Sequence, residues 1–360
     1  MSRDDPALAP GDRMTTEMPH LPAPNFTHLR AMTDRLGVWE HSQLSRPRLE
    51  HGFCTDDNAR ALVVVSRQAS SDSTLADLAA IYLGFLIEAR TTTGGFHNRR
   101  SAQGVWVDEI GSDDSQGRAW WALGAVTRHG YEPWMRRAGA AAFDECSTFD
   151  STHLRSNAFA VLGAVDLLAV EPSHAKALDL LARTSLVLAN AVRSRIPWPE
   201  IRLTYDNARI PEALIAAGAA VRDKRMIDMG VRLLERLLWV ETDGDHFSFT
   251  PVGGWQTGEV RPGFDQQPLE AAAMAEACYR AWTVTGNAVW RVRALRSAHW
   301  LMGRNDTGAV LYDARTGATC DGLMADSVNE NRGAESTLAG LAILQIAAAC
   351  FDKSPTTATR

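Results

Sequence analysis

Several kinds of protein are excluded by what this sequence lacks. Its five cysteines, Cys54, Cys146, Cys278, Cys320 and Cys350, are odd in number, lie far apart and form no CxxC pair. That argues against a disulfide framework and for a reduced, cytoplasmic protein whose thiols are mostly small apolar side chains. The ten histidines show no ligand spacing and there is no HExxH, so no metal is expected. Neither GxxxxGK[ST] nor a GxGxxG following a strand occurs, and a GxSxG elbow is missing. No cofactor is therefore expected, and acyl transfer loses its main signal. A basic excess is also missing: 37 Lys and Arg stand against 43 Asp and Glu, a net charge of −6. This balance disfavours nucleic-acid and anionic-membrane partners. No uncharged apolar run reaches the roughly 18 residues of a spanning segment, and residues 338–351 are the greasiest stretch. No signal peptide is visible at the start. Residues 1–24, rich in Pro, and 352–360 read as disordered ends around one domain, 25–351.

What is present is an internal repeat. "EHGFCTDDNARALVVV" (50–65) recurs in altered form as "GSDDSQGRAWWALGAV" (111–126), "LRSNAFAVLGAV" (154–165) and "LTYDNARIPEALIAAG" (203–218). It returns again in "GFDQQPLEAAAMAEACYRA" (263–281) and "NENRGAESTLAGLAILQIAAAC" (329–350). These segments are apolar nearly all round and rich in Ala and Gly. Between them lie amphipathic segments with apolar residues at i, i+3, i+4 and i+7: 74–90, 133–143, 172–195, 223–240 and 286–303, with 26–42 as a sixth. Helices apolar on all sides must be surrounded by protein. Six of each kind in alternation predict an all-α fold, an (α/α)6 barrel with an inner ring of six helices inside an outer one. A linear solenoid shares the alternation. The closed ring is preferred because six hairpins suffice to close it and neither end shows a polar capping repeat. Long loops before the inner helices alternate apolar and polar residues with Gly turns, which predicts short β-hairpins at one open end. Long, aromatic loops on one end mark a binding face.

In the first turns of these helices polar groups recur on one face: Asp57 with Arg60, Asp114 with Arg118, Asp206 with Arg209, Gln266 with Glu270, Asn331 with Glu335. The plain alternative is N-capping, since Asp and Asn suit a helix start and stabilise it by about 1 kcal/mol. Capping explains neither the doubled Asp at 56–57 and 113–114 nor Glu270 and Glu335, which lie past the capping positions. A polar pocket at the barrel mouth is the favoured reading. Trp106, Trp120, Trp121, Trp255, Phe96, Tyr205 and Phe264 fall at the same end. Carboxylates, guanidiniums, amides and aromatics together suit an oligo- or polysaccharide, although for Trp120 and Trp121 core packing is an equal alternative. His51 and His97 default to structural roles, and Cys54 has no partner arrangement for nucleophilic work.

The strings "HGFCTDDNARAL", "DDSQGRAWWALG", "FDQQPLEAAAMAEAC" and "NENRGAESTLAGL" together resemble a bacterial (α/α)6-toroid domain family found alone or fused behind glycosyltransferase domains. The likeness runs from about His51 to Phe351. It implies a relation in architecture to toroid glycoside hydrolases and phosphorylases, and a glycosyltransferase as a possible partner. It implies no particular reaction. The expectation is a glycoside hydrolase of the inverting type, which needs two carboxyl groups across the scissile bond. Candidates are Asp56, Asp57, Asp114, Asp206, Asp265, Glu270 and Glu335. Glu335, flanked by apolar residues, and Asp57, beside Arg60, are the preferred pair. Arg118, Arg209, Gln266, Gln267, Asn331 and Arg332 would grip hydroxyls or a sugar carboxylate, with Asn58 also on the substrate-binding side. The arginines keep a phosphorylase, a uronate lyase or an epimerase open, as well as a non-catalytic glycan-binding partner of a glycosyltransferase.

Overall fold

A computed structural model describes residues 21–68, 72–194 and 198–352; residues 1–20 and 353–360, most of the expected disordered ends, lie outside the described residues. Twelve α-helices occur among the described residues. Six form an inner ring: α2 (Thr55–Arg67), α4 (Asp113–His129), α6 (Leu154–Leu168), α8 (Arg209–Val221), α10 (Pro268–Thr285) and α12 (Ala334–Asp352). Each packs on the next, and α12 packs back on α2, so the ring closes. Outside stand α3 (Ser73–Glu88), α5 (Pro133–Glu145), α7 (Ala175–Ser194), α9 (Lys224–Val240) and α11 (Ala288–Leu301), each against the inner helix that precedes it. This is the (α/α)6 toroid.

The two helix types follow from their patterns. In α6 every residue but Val165 is buried, because protein surrounds it. In α9 the buried residues are Gly230, Leu233, Leu234, Leu237 and Leu238, a single stripe at helical spacing. Small residues let the inner helices approach backbone to backbone. A Cβ added at Gly124 of α4 would lie 2.0 Å from the Gly163 carbonyl oxygen of α6, and one at Gly163 would lie 2.2 Å from that of Trp120. Helix α12 is long and apolar enough to cross a membrane, unlike the expectation from apolar runs, yet it stands in the inner ring with 67% of that window buried.

The sixth outer element departs from the expected helix over 26–42. Only Thr27–Ala31 is helical (α1); two small hairpins follow, pairing Thr33–Asp34 with Gly37–Val38 and Ser42–Gln43 with Arg46–Pro47. Asp34 Oδ1 accepts from Leu36 N at 2.7 Å, which turns the chain. Gly37 has φ +144°, and a Cβ there would lie 2.6 Å from Asn58 Oδ1. That oxygen accepts from Val38 N at 3.1 Å and draws the strand into the core. The hairpins carry Glu40 and His41 to the barrel mouth. The six sheets among the described residues are two-stranded, and pairs at Thr242–Asp243/His246–Phe247, Tyr312–Asp313/Ala318–Thr319 and Gly322–Leu323/Val328–Asn329 lie in the long loops that precede inner helices.

Candidate active site

Side-chain capping does not explain the acidic helix starts. The oxygen or sulfur that caps α2 belongs to Cys54, and the one that caps α4 to Ser112, both upstream of the aspartates. The carboxylates are thereby left to face the mouth. There they surround a cavity of about 490 Å³, within the usual range for small-molecule sites. Asp56, Asp57 and Arg60 reach it from α2, and Asp114 and Arg118 from α4. Tyr205 comes from the loop before α8, Asp265 and Gln267 from that before α10, and Glu335 from α12.

The wall also holds residues that the repeat pattern did not single out: Glu40, His41, Ser112, Asp321, Asn329, Gly333 and Ser336, together with Cys54. Glu40 and Asp321 sit in irregular segments whose side-chain direction no periodicity encodes. Asp321 is a single acid after Cys320 in the loop before α12, with no doubled aspartate to mark it.

One side of the cavity is organised by arginines. Arg60 donates to Asp57 Oδ1 at 2.7 Å and meets Glu335 Oε2 at 2.7 Å. Arg118 lies 3.2 Å from Asp56 Oδ1 and donates to Asp206 Oδ2 at 2.9 Å. Asp206 is fully buried behind Arg118 and also accepts from Arg209 Nε at 3.0 Å. Burial alone would raise its carboxyl, but Arg209, Arg118 and Arg60 more than offset this and hold it below the usual carboxylate range. The ion pairs continue along the barrel axis. Arg209 meets Glu212 at 2.8 Å and also Glu276, which Arg67 reaches at 2.6 Å; Asp166 lies between Arg67 and Arg128, at 3.6 and 2.9 Å.

On the other side Glu40 pairs with Arg99, but Asp265 has no ion pair among the described residues. Asp265 Oδ1 is buried without a hydrogen-bond partner among the described residues, and burial together with the charge of Asp321 raises its carboxyl. Asp321 accepts from Gly333 N at 2.8 Å, yet burial raises its carboxyl too. Glu40 is raised by burial and by Asp57, against the pull of Arg99. Between these sides Asp114 accepts from Ser156 Oγ and from Tyr205 Oη, whose ring lies under Arg155 with Cζ 4.7 Å from the centroid.

Other expected residues stand elsewhere. Glu270 is buried and accepts from the backbone N–H of Asp206 and of Asn207 and, at 3.1 Å, from the Asn207 side chain, so it holds the start of α8. Burial, then Glu241 and Asp206, push its carboxyl up to about 8 in spite of those donors. Gln266 is wholly buried and ties Phe249 N, Gly263 O and Asp306 together. Asn58 binds Val38 N and Cys54 O. Asn331 accepts from Leu44 N, and Arg332 donates to Ser45 Oγ, both fixing the 42–46 hairpin. Trp120 packs edge-on to Phe143, and Trp106 stacks on His97. Trp255 lines a separate apolar crevice with Trp198 and Leu203. His51 pairs with His41 at 3.0 Å between Nδ1 atoms, and His97 holds Asp108 O.

Glu40, Cys54 and Asp57 bring ligand-type atoms within 4.8 Å of one another. Arg99 and Arg60 already pair with the two carboxylates, and burial, then Asp57, Glu40 and Asp56, raise the thiol well above its ordinary value. This trio is a poor cation site, and Cys54, which donates to Asp57 Oδ2 at 3.2 Å, is a poor nucleophile.

No protein-family model and no curated protein matches the chain in sequence. In structure it is similar to cellobiose 2-epimerase from Bacillus thermoamylovorans, with TM-score 0.68, 10% identity, and 90% of this chain and 96% of that one covered. It is also similar to a sugar epimerase from a ruminal bacterium, with TM-score 0.65, 10% identity, and coverage of 89% and 94%. A family 76 α-mannanase from Bacteroides thetaiotaomicron gives TM-score 0.62 at 12% identity, covering 90% and 94%. At such identities the likeness is one of fold: an (α/α)6 toroid shared with sugar epimerases and glycoside hydrolases.

Proposed function

We propose that this protein is a glycoside hydrolase of the inverting type that acts on a glycan of low negative charge at the barrel mouth. The observation that carries the reading is the asymmetry of the cavity. On one side stands a carboxyl, Asp265, with a raised proton affinity, a buried oxygen without a hydrogen-bond partner and no ion pair among the described residues. On the other stands Glu335, ion-paired through Oε2 to Arg60 and about one-third exposed. Two carboxyl groups in unlike surroundings are the requirement for acid and base roles in one site. Asp265 acts as general acid and gives its proton to the glycosidic oxygen. Glu335 acts as general base: it takes a proton from a water while the water oxygen bonds to the anomeric carbon and the glycosidic bond breaks. Asp57, whose two oxygens are occupied by Arg60 and Cys54, serves to orient Arg60. Glu335 thus takes the base role where its apolar flanks alone suggest an acid, because its carboxylate is paired with a guanidinium.

The test is a glycan panel read by reducing-end release and by NMR of the first-formed anomer. Asp265→Asn and Glu335→Gln each lower kcat on the glycan cleaved by at least about 100-fold. Wild-type turnover in Asp265→Asn overturns the assignment, and binding without turnover on every glycan overturns hydrolysis. Epimerisation is the second reading, favoured by His41, an imidazole on the wall backed by His51. Solvent deuterium entering the sugar without release of reducing ends selects it.

A further inference from the structure

Beneath the cavity, along the barrel axis, lies a smaller space of different character. Arg60, Arg118 and Glu335 line both, so the two adjoin. The lower niche holds about 30 Å³, on the order of two water-sized groups. One wall is aliphatic, built from Val63, Val64, Leu338, Ala339 and Ala342. Trp121 stands on another wall, 3% exposed, its ring stacked on Phe159 with centroids 6.0 Å apart. Its indole Nε1 is buried and has no hydrogen-bond partner among the described residues. Nε of Arg60 is buried and unpartnered as well, while the two Nη atoms of that residue serve Asp57 and Glu335.

Buried N–H donors without an acceptor carry an uncompensated desolvation cost. Both unpartnered groups are donors only, so what completes them is an acceptor. The niche has room for that acceptor and one further group, and the second group meets aliphatic carbon. A carboxylate fits badly: the arginines that line the space, Arg60, Arg118 and Arg209, are already paired with Asp57, Glu335, Asp56, Asp206, Glu212 and Glu276, and two of those carboxylates, Glu276 and Glu335, line it too. A hydroxymethyl group would leave its own proton facing methyls.

We propose that the niche is an acetyl subsite. It takes an acetyl group borne by the substrate sugar, amide- or ester-linked. The carbonyl oxygen accepts from Trp121 Nε1 and Arg60 Nε, and the methyl lies on Val63, Val64 and the α12 alanines. This rests on the reading of the cavity above as a glycan site.

The probes are glucose, galactose and mannose, each as the parent hexose, the 2-acetamido sugar and the 6-O-acetyl ester, titrated against the full chain by calorimetry. In the configuration that binds, one acetylated form binds about tenfold more tightly than the parent. The amide and ester arms identify the linkage. Trp121→Phe keeps the ring and removes the N–H, and the acetylated-to-parent affinity ratio falls to about one. Ala339→Leu, which fills the niche from the aliphatic side, collapses the same ratio and stands in should the first variant fold poorly. Equal affinity for parent and both acetylated forms overturns the subsite while leaving the glycan reading intact. So does a ratio unchanged in both variants, or a crystal of the acetyl-sugar complex with only water in the niche. Absence of binding for every one of these sugars, together with absence of cleavage across the glycan panel, overturns both.

Discussion

Replacing Asp206 by Asn tests the ion chain on which the cavity floor rests. Asp206 is fully buried and is shared by Arg118, at 2.9 Å from Nη2, and Arg209, at 3.0 Å from Nε. An Asn of the same shape can accept from one guanidinium, but its amide presents a donor to the other and no charge to either. Removal of one partner from a buried ion pair costs about 3–5 kcal/mol, most of it the cost of the stranded charge. Loss of charge assistance in two bonds worth roughly 1.5–3 kcal/mol each, one of them lost outright, has an upper bound of about 3–6 kcal/mol, which is compatible with that figure. For a domain this large, about 2 °C per kcal/mol applies, so calorimetry at pH 7 should show a melting temperature lower by roughly 6–10 °C. The pH dependence has a definite sign. The folded-state proton affinity of Asp206 lies below its ordinary value of 3.8, so its contribution is complete above that pH and is lost as the pH falls through the folded value. The gap between wild type and Asp206→Asn should therefore be the same at pH 7 and pH 5, and close only under more acidic conditions. A variant that melts within about 2 °C of wild type at pH 7 would falsify the account of Asp206 as the counter-ion of both arginines.

Three further outcomes can be measured. Gly163→Ala places a Cβ 2.2 Å from a carbonyl oxygen of α4 and should destabilise by about 3 kcal/mol or more, since backbone has to move. Gly84→Ala in α3, where a Cβ meets nothing within 4 Å, should stabilise by roughly 0.5–1 kcal/mol; equal denaturation midpoints for the two variants contradict the packing argument. Glu270 has its carboxyl raised to about 8, so the stability tied to its proton is complete below its ordinary 4.5 and is lost as the pH rises through 8. Glu270→Gln should flatten the decline of melting temperature between those limits, and parallel wild-type and variant curves argue against it.

Most of the architecture could be read from the residues because burial leaves a periodic trace. A helix surrounded by protein has no wet face, and one that covers it has a single stripe, so α6 and α9 were distinguishable without coordinates. The failure at 26–42 has a local cause. "FTHLRAMTDRLGVWEHS" carries helical spacing, but Asp34 and Gly37 provide a turn, and the side chain that stabilises it, Asn58, lies 21 residues beyond Gly37. The site was legible in part for the same reason. Asp57, Arg60, Asp114, Arg118 and Glu335 sit at helix starts, where the repeat fixes which face they share, and all five line the cavity. Glu270, Gln266, Asn58 and Asn331 carry the same polar signature yet hold backbone in place. Sequence spacing identifies a polar residue at a helix mouth; it does not say whether a ligand or a loop is what that residue binds.

The pairing of the arginines bears on which sugar chemistry the proposed site would take. From the sequence they leave phosphorolysis and uronate chemistry open, since either needs a cation on the cavity wall. The two guanidiniums that line the cavity are both engaged: Arg60 by Asp57 and Glu335, Arg118 by Asp56 and Asp206. Arg209 lies below the floor, paired with Asp206, Glu212 and Glu276, and Arg332 is turned to Ser45. Seven carboxyl groups, those of Glu40, Asp56, Asp57, Asp114, Asp265, Asp321 and Glu335, share the same wall. A phosphate or uronate entering there must break an existing ion pair and face the remaining carboxylates, which disfavours it by several kcal/mol. Hydrolysis of a neutral or amine-bearing glycan meets neither penalty. Millimolar phosphate should accordingly leave glycan turnover unchanged and raise the melting temperature by less than about 1 °C, the shift expected when ligand concentration stays below Kd. Glycan cleavage that depends on phosphate, with a sugar phosphate as product, refutes this pairing argument directly.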